Sequence, residues 1–284
     1  MTKLLVCIDG SGYADNICEN AAWVAKRMNA DIDLLHVLRR HSAYQSAASD
    51  HTGSIGLGAR SGLLADLAKV DEERGRLDQQ KGRIILEHSE KLLKDAGIEQ
   101  VNSLHRRGSL IDTIQEFEDD VEMIFIGKRG EHADLESEYL GANLEKVARA
   151  IHKPLFVVSS VVRPIKRFLI AYDGKDSVNK AIDYIIATPL LKGLECHLLA
   201  AETSQEEINT HKTENRLRDA GFDVKITRQK SDHADKTIAD YVTAHDIDLL
   251  ITGAYSHSRM RSLLLGSTTA SLIKSCKIPL LLFR

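Results

Sequence analysis

KLLVCIDG (3–10) returns as RFLIAYDG (167–174), 164 positions later. Each is a short apolar run that stops at Asp-Gly, the pattern of a buried strand ending in a tight turn. Working outward, ADIDLLHVL (30–38) matches LECHLLAAE (194–202) at the same offset. KDAGIEQV (94–101) matches RDAGFDVK (218–225) and Thr113-Ile114 matches Thr237-Ile238, now 124 apart. VEMIFIG (121–127) pairs with IDLLITG (247–253), and KPLFVV (153–158) with IPLLLF (278–283). All six blocks keep their order, so the chain holds two copies of one unit.

The offset falls once, between the second strand and the helix after it, so the first copy carries about 40 extra residues there. HSAYQSAASDHTGSIGLGARSG (41–62) is rich in Ser, Ala and Gly, has no helical or strand period, and reads as a mobile loop. From about Val70 to Ala96, Leu77, Ile84, Ile85, Leu92 and Leu93 follow helical spacing. Gly97 and Gly221 suit the left-handed position that closes a helix. The copies divide near SSVVRPIK (159–166), giving units at 1–160 and 165–284. Each reads β-α-β-α-β-α-β-α-β. That alternation specifies an α/β fold of two tandem, doubly wound parallel sheets with right-handed crossovers. Ligands in such sheets sit beyond the carboxyl ends of the strands.

With 43% apolar and 28% charged residues, the 284-residue chain is in the range of a globular protein. A net charge of −3 gives no electrostatic reason to expect nucleic acid or an anionic membrane as partner. The longest early apolar run, LLVCI, is too short for a leader or a membrane span, and the chain reads as cytoplasmic. Cys7, Cys18, Cys196 and Cys276 lie far apart without a CxxC pair, as expected of reduced core thiols. Twelve histidines form no HxH, HExxH or Cys/His cluster, so no metal site is expected.

Two loops per copy can carry chemistry. The first is Asp9-Gly10-Ser11, repeated as Asp173-Gly174-Lys175. An aspartate at a strand's carboxyl end can accept a hydrogen bond from a ligand, and Asp and Ser are equally good turn and helix-cap residues. The second follows the fourth strand and in the later copy reads GAYSHSRMRSLLLGSTT (253–269). Gly266-Ser267-Thr268 would open the last helix, where free N–H groups and the helix dipole favour an anion. Arg259 and Arg261 lie between, with no carboxylate from His257 to Leu265. This is a phosphate cradle or a capped strand-to-helix loop.

The pattern Gly-x2-Gly-x9-Gly-(Ser/Thr), after a first strand ending in Asp-Gly-Ser, resembles the ATP-binding signature of the universal stress protein family. The resemblance spans both copies apart from 41–62. It implies a five-stranded sheet of order 3-2-1-4-5 in each copy, and ATP or AMP, with or without magnesium, as ligand. It also implies copies that pair within the chain as an internal pseudo-dimer, through their fifth strands, and leaves a further homodimer open. Carried onto this sequence, the later site would use Asp173, Gly174, Ala201, Gly253, Ser256, Arg259, Gly266, Ser267 and Thr268. A weaker earlier site would use Asp9, Val37, Gly127, Gly130, Gly141 and Asn143.

Both copies depart from the signature. Ser256 stands where the second glycine belongs in the later copy. The earlier copy has ten residues, not nine, between Gly130 and Gly141, and Ala142 and Asn143 replace the hydroxyl residues. Its loop EHADLESEYL (131–140) holds Glu131, Asp134, Glu136 and Glu138 and no basic residue, with Lys128 and Arg129 offsetting part of that charge. Each like charge within about 4–6 Å of a phosphate costs on the order of several kcal/mol at an effective dielectric of about 20. The later copy is therefore expected to bind nucleotide and the earlier one weakly or not at all. The earlier copy is then a degenerate half kept for pairing, or takes a cation, another ligand or a partner protein. A stress-response or signalling module needs only the cradle. A slow ATPase would need phosphate and metal ligands, and the Walker sequence GxxxxGK[ST] is absent. A nucleotide-free scaffold and a flavin carrier complete the alternatives.

Overall fold

A computed structural model describes residues 2–38, 57–129, 142–202, 208–254 and 267–284. The first half runs β1 (Thr2–Cys7), α1 (Ala14–Met28), β2 (Ala30–Leu38), α2 (Leu57–Asp95), β3 (Val101–Arg107), α3 (Leu110–Phe117), β4 (Met123–Gly127), α4 (Ala142–Ala150) and β5 (Leu155–Val158). The second runs β6 (Arg167–Ala171), α5 (Asp176–Ala187), β7 (Glu195–Glu202), α6 (His211–Asp219), β8 (Val224–Lys230), α7 (Ala234–Ala244), β9 (Leu249–Gly253), α8 (Ser267–Ser275) and β10 (Leu280–Phe283).

All ten strands form one sheet, in the order β3-β2-β1-β4-β5-β10-β9-β6-β7-β8. Each half has the expected order 3-2-1-4-5 and is parallel throughout. The halves join where β5 and β10 pair antiparallel, Phe156 opposite Leu281. Each fifth strand thus covers the edge that the other would expose. Strands of the two halves run in opposite directions, so their carboxyl ends face opposite margins of the sheet.

Register preserves the repeat. Leu4 lies beside Ile32 and Met123, and Phe168 beside Cys196 and Leu249, the same relations at the offsets read in the sequence. The third strands differ by one place. Val101 pairs with Ile32 and Val224 with Cys196, so Val101 matches Val224 and not Lys225. The turn before β3 is therefore one residue longer than the one before β8.

Strand periodicity divides the core between the two faces. Leu4, Val6 and Ile8 pack with α1 and α2, and Leu5 and Cys7 with α3 and α4; each core continues into the second half. The central strands are buried except for one half-buried end residue each, Gly127, Arg167 and Gly253, as their unbroken apolar runs require. Phe125 and Phe156 stack with centroids 4.9 Å apart beside the junction. All four cysteines are buried and free, and burial pushes the Cys7 and Cys196 thiols up to about 12. Gly97 and Gly221 sit at φ +85° and +86° just beyond α2 and α6, the left-handed closures expected of them. Among the described residues no helix is long and apolar enough to cross a membrane.

One expectation needs correction. The stretch 41–62 is not loop to its end, because the α2 backbone already begins at Leu57. Gly58 and Gly62 suppress helical periodicity there, yet each costs a helix only about 1 kcal/mol against alanine, and Ala59, Leu63, Leu64 and Ala65 favour it. The remainder, 41–56, lies outside the described residues.

Candidate functional site

In the second half, β6 lies between β7 and β9, so the loop after β6 is flanked by the ends of both. Asp173 folds back on its own turn. Its Oδ1 accepts from Lys175 N at 3.1 Å, and its Oδ2 lies 3.4 Å from Lys175 Nζ. Gly174 takes φ +74°, a conformation that favours glycine, and its carbonyl accepts from Asn179 Nδ2 at 3.1 Å. The bond within the loop makes Asp173 a turn residue. That role leaves its carboxylate, with the lysine ammonium beside it, half exposed at the strand end.

Gly253 is the close-approach glycine of the site. A Cβ there would collide with Ser177 Oγ and stand 3.0 Å from Ser177 Cβ and 3.4 Å from Val178 N. The first turn of α5 therefore rests directly on the end of β9. The Gly253 carbonyl accepts from Thr269 Oγ1 at 2.9 Å, which ties down the first turn of α8. Ser267 and Thr268, exposed, open that helix beside it. Two helix N-termini, each a locus of free N–H groups and positive dipole, thus converge on Gly253.

Ser177 is 6% exposed, and among the described residues its hydroxyl has no hydrogen-bond partner. Leaving a buried hydroxyl unmatched costs about 1–3 kcal/mol, so such groups call for an explanation. Sequence reading did not single it out. Its position beside a glycine 76 places away is visible only once β9 and α5 are packed.

Ala201 is half-buried, the second residue from the end of β7, opposite Gln229. Its neighbour Glu202 is buried and accepts from Ile208 N at 3.1 Å, which fastens the chain after β7 beneath the site. Ser256, Arg259 and Gly266 lie outside the described residues.

The first half builds the corresponding corner differently. Asp9 Oδ1 accepts from Ser11 N at 3.0 Å, and Ser11 Oγ from Tyr13 N at 3.3 Å. Gly127 again receives a helix, but a side chain placed there would meet Tyr13 Cβ and the Arg129 carbonyl, each at 3.2 Å, and Ile17 Cδ1 at 3.4 Å. Tyr13 is buried at 8% exposure and holds the place that Ser177 holds in the second half. The first half thus has a tyrosine at the place where the second has a serine hydroxyl. Val37 is half-buried on β2 opposite Arg106, and Asn143 half-buried at the start of α4. Gly130, Gly141 and the acidic run 131–140 lie outside the described residues.

Lys128, read in the sequence as partly offsetting that charge, has partners of its own among the described residues. It is turned into the other half and buried, where Nζ donates to the carbonyls of Lys274 (2.9 Å) and Cys276 (2.8 Å). Burial draws its pKa down from 10.5 to about 8.

The model of the Universal stress protein family matches residues 1–159 and 194–284. The chain is 36% identical over 290 residues to the universal stress protein Slr1230 of Synechocystis, with both proteins covered in full. A universal stress protein from Archaeoglobus fulgidus superposes with TM-score 0.74 at 18% identity, over 99% of this chain and 98% of that one. A protein of unknown function from Pseudomonas aeruginosa superposes with TM-score 0.63 at 17% identity, over 100% and 92%. Those two likenesses concern the fold.

Proposed function

Because the chain belongs to the universal stress protein family, we propose that it is an adenine-nucleotide-binding module of stress response or signalling. It takes ATP or AMP in the second of two domains, 1–160 and 165–284, and works in the cytoplasm. The observation that carries this reading is the buried Ser177 hydroxyl against Gly253, unmatched among the described residues, where the N-termini of α5 and α8 converge. A phosphate or ribose oxygen would satisfy that hydroxyl and meet both helix dipoles. Lys175 adds a positive charge at the mouth of the same corner. Asp173, on the neighbouring strand end, is placed to accept from a ribose hydroxyl.

The same corner in the first domain holds Tyr13, which supports binding confined to the second domain. Magnesium has no selective ligand among the described residues of the site, since Asp173 already faces a lysine. Binding without efficient hydrolysis is therefore the expected activity. Lys175 opens α5 directly, outside any Walker loop.

The test is nucleotide extraction from freshly purified, denatured protein, followed by titration with ATP and AMP. Adenine nucleotide at up to one equivalent per chain, lost in Ser177→Tyr, supports the reading. An empty protein that ATP and AMP fail to stabilise overturns it in favour of a nucleotide-free scaffold. Phosphate release in the same samples separates a binder from a slow ATPase.

A further inference from the structure

Helix α2 lies along β3, the outermost strand of the first half, and meets it rung by rung. Glu90 Oε2 accepts from Ser103 Oγ at 2.9 Å. Gly82 stands over His105, and Gly75 over Arg107, whose Nη2 would lie 3.5 Å from a Cβ placed there. The rung at Gly82 is the tightest. A Cβ on it would come within 2.5 Å of His105 Nε2 and 2.8 Å of His36 Cδ2. The helix backbone thus rests on two imidazoles, paired across β2 and β3 with centroids 5.5 Å apart.

The two rings are held differently. His36 is buried, with Nδ1 2.9 Å from the Ile8 carbonyl. His105 is half-buried, but its Nε2 is closed off from solvent and has no hydrogen-bond partner among the described residues. A neutral imidazole can leave that nitrogen as a bare lone pair, whereas an imidazolium makes it a donor. The groups around it offer such a donor little. His36 faces it from β2, Arg107 belongs to β3, and Arg83 comes from α2, where exposed Lys81 adds a further cation. Of the acids on the inner face of α2, Glu90 is taken by Lys94 and Ser103, and Asp78 makes no hydrogen bond to His105 Nε2. Burial, and then His36, Arg83 and Arg107, hold the His105 pKa below its ordinary 6.5.

The second half treats the same place in another way. There β7 and β8 pair Ala200 with Arg228, as β2 and β3 pair His36 with His105. Arg228, a permanent cation, donates through Nε (3.2 Å) and Nη2 (2.7 Å) to Oγ1 of the fully buried Thr210. A charge at this position therefore has a built acceptor in one half, and among the described residues none in the other.

From this geometry we propose that His105 is an acid-sensitive latch for α2: the neutral ring seats the helix at Gly82, and the imidazolium lifts the stretch Asp66–Lys81 off β3. Leu86, Ser89 and Leu93, all buried, keep the end of the helix in the core. The lifted state takes up the proton more readily than the docked one, so docking is complete above 6.5 and weakens as pH falls below it. Once lifted, the arm loses its tertiary support, and Gly75 and Gly82 each cost it about 1 kcal/mol against alanine.

The experiment is hydrogen exchange of the full-length chain, read by mass spectrometry at about pH 7.5 and about pH 5.5 and corrected for the intrinsic rate at each. Peptides from 66–81 are expected to lose protection about threefold or more in acid, with those from 86–95 and the central strands unchanged. In His105→Leu, which cannot charge, 66–81 should be equally protected at both values. In His105→Arg, charged throughout and without a Thr210 to bond, it should exchange quickly at both. NMR of the imidazole signals in the unaltered protein supplies a check that needs no variant. The midpoint of the change in exchange should coincide with the titration of His105. Unchanged protection in acid overturns the proposal, as does the same loss in His105→Leu. So does a gain of protection in acid, which would mean that Asp78 takes up the charge, or a midpoint apart from the His105 titration.

Discussion

Lys128 Nζ donates to the carbonyl of Lys274 at 2.9 Å, from the first half of the chain into the last turn of α8 in the second. The carbonyl at the equivalent place in the first half, Arg149, is capped by Arg284 Nη1 at 2.7 Å. Each half thus closes a helix of the other with a cation, at the negative end of the dipole. The two cations come from unrelated positions, since Ala254 stands where Lys128 would repeat.

Replacing Lys128 by methionine keeps the stem's volume and removes the donor from two carbonyls. At pH 7 it is expected to cost about 1–2 kcal/mol in urea unfolding. The pH dependence has a definite sign. The folded-state pKa is about 8 against 10.5 unfolded, so between those values the unfolded chain binds more protons. Lys128 therefore adds stability as pH rises from 8 to 10.5. The gap between wild type and Lys128→Met should widen across that window, and a constant or narrowing gap would contradict the assignment.

Arg284→Ala removes the other cap and should cost about 0.5–1.5 kcal/mol. Lys128 and Arg284 cap different helices through different carbonyls, so the double variant should equal the sum of the singles to within about 0.5 kcal/mol. Thermal unfolding of the three proteins checks it.

Gly253→Ala and Gly12→Ala should part company. At Gly253 the new methyl meets Ser177 Cβ and the backbone of Val178, which moves only if α5 lifts off β9. A loss of about 1–3 kcal/mol and of nucleotide binding is expected. Nothing lies within 4 Å of a Cβ at Gly12, and the change there should be neutral or stabilise by up to about 1 kcal/mol.

Exchanging the corner residues tests the asymmetry of the halves. Ser177→Tyr should abolish nucleotide binding, whereas Tyr13→Phe should leave it unchanged in calorimetric titration. Loss of binding in Tyr13→Phe would place the ligand in the first half.

Phe156→Ala opens a cavity beside the β5–β10 seam, where Phe156 is fully buried and stacked on Phe125. A cost of about 3–5 kcal/mol is expected, with both halves unfolding in one transition. Two separate transitions would show that the halves are energetically independent.

What was legible in advance was what local chemistry repeats. The strand register of Leu4 and Phe168 followed from matched apolar runs, and the φ values of Gly97 and Gly221 from their place after a helix. The single-residue shift that aligns Val101 with Val224 was hidden, because EQV and DVK fit equally well at either spacing. Lys128 and Ser177 were hidden for another reason. Their meaning lies in atoms 146 and 76 residues away, and nothing in the neighbouring sequence differs from an ordinary surface lysine or helix-start serine.

The continuous sheet through β5 and β10 has a consequence for how such a molecule can change over generations. In an assembly of two separate identical chains, any substitution appears on both sides at once, so the pair can gain or lose only in duplicate. Covalent linkage of the copies removes that constraint. One copy could acquire a tyrosine at position 13 while the other kept serine at 177, and a lysine at 128 while the other kept alanine at 254. A corner given up on one side need not be given up on the other, and the pairing surface that both rely on stays intact while each drifts toward its own task.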